Sequence, residues 1–83
     1  MYKATITVRL RQSILDPQGK ATHHALQNLG FDSVDRVRIG KSIEMWIDAG
    51  SSEEARRKAH AACDKLLANP VMEDFEVDVA EAK

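Results

Sequence analysis

The segment Tyr2-Lys3-Ala4-Thr5-Ile6-Thr7-Val8-Arg9-Leu10-Arg11 alternates between two kinds of side chain. Tyr2, Ala4, Ile6, Val8 and Leu10 fall on one side, and Lys3, Thr5, Thr7, Arg9 and Arg11 on the other. A period of two over ten residues predicts a strand with one buried face. Beyond it, Asp16-Pro17 pairs an N-cap carboxylate with proline at the first helical position, where a missing N–H costs nothing. A helix is expected over 17–29, stopped by Gly30 as a left-handed C-cap. Its inner stripe is expected to be Thr22, Ala25, Leu26 and Leu29, with Lys20, His23, His24 and Gln27 outside.

Val37 and Ile39 alternate with Arg36 and Arg38, and Ile43, Met45 and Ile47 alternate with Glu44, Trp46 and Asp48. With Gly40-Lys41 as the turn, 34–48 reads as a β-hairpin. Ser51 followed by Glu54 is a capping box that opens a second helix over 52–68. Ala55, Ala59, Ala62 and Leu66 form its narrow stripe, and small side chains bury little area. Asn69-Pro70 ends it, and Phe75, Val77 and Val79 alternate with Glu76 and Asp78 as a last strand. The expected fold is α+β: a βαββαβ, ferredoxin-like, two-layer sandwich with a four-stranded antiparallel sheet and two helices on one face. Right-handed crossovers imply strand order 4-1-3-2. That topology gathers 12–19, 40–42 and 68–72 at one end of the molecule.

The chain of 83 residues and 9.3 kDa has room for a single domain, 1–83, with one modest core. Twelve Lys plus Arg against thirteen Asp plus Glu leave a net charge of −1. That balance lacks the basic surplus of a nucleic-acid binder. Cys63 is the only cysteine, which excludes an internal disulfide and a cysteine-based zinc site. Neither a signal peptide nor a membrane-spanning run is visible, so a soluble cytoplasmic protein is expected.

Candidate chemistry is sparse. His23 and His24 are adjacent, so they point about 100° apart on a helix and read as surface residues. His60 and Cys63 are one turn apart but lack two further ligands, and Cys63 reads as a small buried thiol. Ser51 and Ser52 are explained by capping. No glycine-rich phosphate loop is present. The helix start at Asp16, with Arg38 and Lys41 at the same end, could hold an anion, although any helix start with basic neighbours gives that signal. On the helix-free face, basic residues of the first strand lie between acids of its neighbours. Trp46, the only tryptophan, points there to contact with another chain.

Several ferredoxin-like functions are excluded by what is missing. A copper chaperone needs C-x-x-C where this chain has Gln12-Ser13-Ile14-Leu15. An RNA-recognition sheet needs aromatics on its central strands. An acylphosphatase needs an anion cradle where Asp16 stands. An ACT-like module binding a small molecule for regulation remains open, as does a stand-alone assembly subunit.

Leu15-Asp16-Pro17-Gln18-Gly19-Lys20-Ala21, Ala25-Leu26, Leu29-Gly30-Phe31, Val37-Arg38-Ile39-Gly40-Lys41, Glu44 and Cys63-Asp64-Lys65-Leu66-Leu67-Ala68-Asn69-Pro70-Val71 resemble PurS, the small subunit of phosphoribosylformylglycinamidine synthase. The similarity runs from Tyr2 to about Val79. It implies a subunit of a glutamine-dependent carbon–nitrogen ligase of purine biosynthesis. In that family a glutaminase subunit (PurQ) releases ammonia, and a synthetase subunit (PurL) binds ATP, magnesium and the nucleotide. The small subunit has no catalytic, cofactor-binding or metal-binding residues of its own. It works as a homodimer or larger oligomer that joins the other two and assists ammonia transfer. On this reading Asp16, Pro17, Gln18, Gly19, Arg38, Gly40, Lys41, Asn69 and Pro70 are the expected contact end. Thr5, Thr7 and Trp46 are the expected self-association face, with neither nucleic acid nor membrane as a partner.

Overall fold

A computed structural model describes residues 1–82; Lys83, the last residue of the expected domain, lies outside them. The first strand, β1 (Tyr2–Leu10), is followed by α1 (Pro17–Asn28), β2 (Lys41–Ile47), α2 (Ser52–Ala62) and β3 (Glu73–Glu81). β1 is central and pairs antiparallel with both neighbours in the order β2-β1-β3. Ile6 stands opposite Ile43 on one side and Val77 on the other, so the apolar residues of all three strands share a face.

α2 lies on that face through its alanines. Ala55 and Ala59 are fully buried, and with Ala4, Ile6, Val8, Cys63 and Ala68 they make up the buried apolar set. Ile43, Met45, Ile47, Leu67, Phe75, Val77 and Val79 pack around it half-covered. Glu54 N–H donates to Ser51 Oγ at 3.2 Å, and the Glu54 carboxylate accepts from Gly50 N–H at 3.0 Å. The capping box therefore closes on the residue before the cap. From Cys63 to Leu67 the helix widens into a π-helical turn. The extra residue per turn rotates the stripe: Cys63 and Ala68 go inward, while Leu66 is left 82% exposed. The expected place of Leu66 in the stripe is thereby corrected.

The sheet has three strands among the described residues, not the expected four, and 34–48 is not a hairpin. The order is the expected one with its last member missing. Residues 34–40 have their partners elsewhere. Ile39 N–H donates to the Asp16 carboxylate, Val34 N–H to Phe31 O, and Val34 O accepts from His23. Gly40 runs straight into β2 against β1, so close that a Cβ would meet Val8 O at 2.5 Å. No tight turn forms there, and among the described residues nothing pairs with the outer edge of β2.

Two helices on one face is the second expectation to fail, because among the described residues it is α2, and not α1, that packs on the sheet. The expected inner stripe of α1 is not buried: Thr22 and Ala25 are exposed, Leu26 is half-buried and Leu29 is 73% exposed. The one buried residue of α1 is Gly19. His23, expected outside, instead turns inward, its Nε2 donating to Val34 O at 2.7 Å. The result is elongated, 50 × 29 × 14 Å, with a radius of gyration of 16.2 Å. A compact chain of this length would have about 12 Å.

Candidate functional site

Asp16 organises the end of the molecule where the distinctive loops meet. As N-cap of α1 it accepts from Gly19 N–H at 2.8 Å through one oxygen, and from Ile39 N–H at 2.6 Å through the other. It is 4% exposed. Those two N–H donors, more than burial opposes them, hold its carboxyl below the usual aspartate range, and Arg38 adds to the effect. Gly19 has to be small, since a Cβ there would meet Val37 O at 2.2 Å.

The other segments join by a relay of arginines. Arg38 donates to Arg11 O at 2.9 Å, and Arg11 donates to Pro70 O at 2.7 Å. Arg11 N–H also donates to Met72 O. Asn69 folds the last turn: its side-chain oxygen accepts from Val71 N–H at 3.0 Å, and its own N–H donates to the Glu73 carboxylate at 2.7 Å. Asp16, Pro17, Gln18, Gly40 and Lys41 line one shallow cleft of about 270 Å³. The nine residues expected at one end are thus placed there, tied through Asp16, Arg38 and Arg11. The linking role of Arg11 within the chain was not read from the sequence, although its place after the first strand and beside 68–72 was the signal for it.

The opposite face of the sheet is open. Thr5 and Thr7 are half-buried along β1, and Trp46 is 60% exposed on β2. The Lys3 ammonium sits 5.5 Å from the Trp46 ring centroid and pairs with Glu44. Arg9 pairs with Glu76 at 2.8 Å, and Arg11 with Asp74 at 3.3 Å. These exposed pairs align neighbouring strands and add little stability.

No group of three or more metal-ligating side chains comes together among the described residues. His60 stacks edge-on against Phe75 at 5.2 Å, and burial pushes the Cys63 thiol up, away from the reactive thiolate. His24 stays exposed. Among the described residues no helix is long and apolar enough to cross a membrane.

Comparison with known proteins gives one consistent result. The family model "PurS: Phosphoribosylformylglycinamidine (FGAM) synthase" matches residues 3–81. The PurS subunit of Bacillus subtilis phosphoribosylformylglycinamidine synthase is 43% identical over 81 residues, covering 98% of this chain and 95% of that one. Its counterpart in Methanocaldococcus jannaschii is 38% identical over 79 residues, covering 95% of each. The crystal structure of M. jannaschii PurS superposes with a TM-score of 0.89 at 37% identity over 100% of both chains. A chain of the PurLQS structure from Thermotoga maritima gives 0.87 at 34% identity, covering 95% of this chain and 96% of that one.

Proposed function

The chain belongs to the PurS family of phosphoribosylformylglycinamidine synthase subunits, and from that premise we propose that it is the small, non-catalytic subunit of this ligase complex in purine biosynthesis. The complex converts formylglycinamide ribonucleotide, glutamine and ATP into formylglycinamidine ribonucleotide. PurQ supplies ammonia, and PurL handles ATP, magnesium and the nucleotide. This chain bridges the two. Ammonia that meets bulk water is protonated and lost, so a subunit that keeps solvent out between two active sites assists the transfer.

The observation that carries this reading is the tied cluster of loops at one end: a rigid, distinctive surface without catalytic groups. Asp16, Pro17, Gln18, Gly19, Arg38, Gly40, Lys41, Asn69 and Pro70 form the surface offered to the larger subunits. Charge reversal at its rim, Arg38→Glu with Lys41→Glu, leaves the isolated protein folded and weakens co-purification with PurL and PurQ. Undiminished assembly of that double variant would count against the contact surface.

Self-association belongs to the same proposal. The solvent-accessible surface of 6085 Å² exceeds by about 1,000 Å² what the size scaling gives for a compact chain. One partner's share of an ordinary interface is about 800 Å². The unpaired edge of β2, the unpacked α1 and the open face carrying Thr5, Thr7 and Trp46 are surfaces that a second copy covers, giving a homodimer or homotetramer.

A further inference from the structure

We draw no further inference here: the strongest candidate, the apolar surface that Leu29 and Phe31 leave exposed at the end of α1 together with the outer edge of β2, unpaired among the described residues, belongs to the self-association surface already described, and nothing in the structure shows what else would cover it.

Discussion

Asp16 joins two segments 23 positions apart, because each oxygen of its carboxylate accepts a different backbone N–H. Only the ionised form serves both donors fully. Since folding lowers its pKa beneath the ordinary value of 3.8, the stabilisation is complete above that value and is lost as pH falls through the lowered one. Asp16→Asn keeps an oxygen for Gly19 but turns an amide NH2 toward the N–H of Ile39. The variant should melt several degrees lower than the parent at neutral pH, with a flatter acid limb below about pH 4. Calorimetric scans across pH check this, and superimposable profiles would contradict it. The Asp16-Pro17 cap was legible in the sequence because capping is local. The second bond was not, because nothing in sequence spacing tells a carboxylate which distant N–H it will meet.

At the level of elements, the same division between local and distant causes explains what could be read. β1, the start of α1, the start of α2 and the alternation within β3 follow from patterns a few residues long, and the structure has them. The alternation of Arg36, Val37, Arg38 and Ile39 is as clean, yet no strand forms, because Asp16 takes the N–H of Ile39 and Gly40 leaves no room for a turn. The π-helical turn at Cys63–Leu67 has no signature in the sequence, so the displacement of Leu66 from the stripe was illegible. For the candidate site, topology alone gathered the loops, whereas the arginine relay that ties them was not legible, because nothing in sequence spacing tells a guanidinium which distant carbonyl it will meet. The fit of α2 on the sheet depends on its small residues. Ala59→Leu should cost about 1–3 kcal/mol by overpacking, read from chemical denaturation. Ala61→Leu on the exposed side should change stability by no more than about 0.5 kcal/mol. Equal effects at the two positions would mean that α2 does not lie on the sheet through Ala55 and Ala59.

The whole molecule is half of a sandwich: one helix covers part of a three-stranded sheet while α1 stands apart. Under the proposed function, a second copy and the larger subunits cover what this opened shape leaves exposed. Sedimentation over a dilution series should show a dimer or tetramer that dissociates, with Trp46 emission shifting to the red as its face is uncovered. Monomer mass at every concentration would refute self-association, and a mass change without an emission change would move the contact to another surface. The central claim is that this chain couples subunits and makes no bonds itself. Its most direct test is the turnover of PurL plus PurQ with and without this chain, driven by glutamine or by added ammonia. The account predicts that glutamine-driven turnover collapses without the chain while ammonia-driven turnover by PurL persists. Glutamine-driven turnover at full rate in its absence would contradict it.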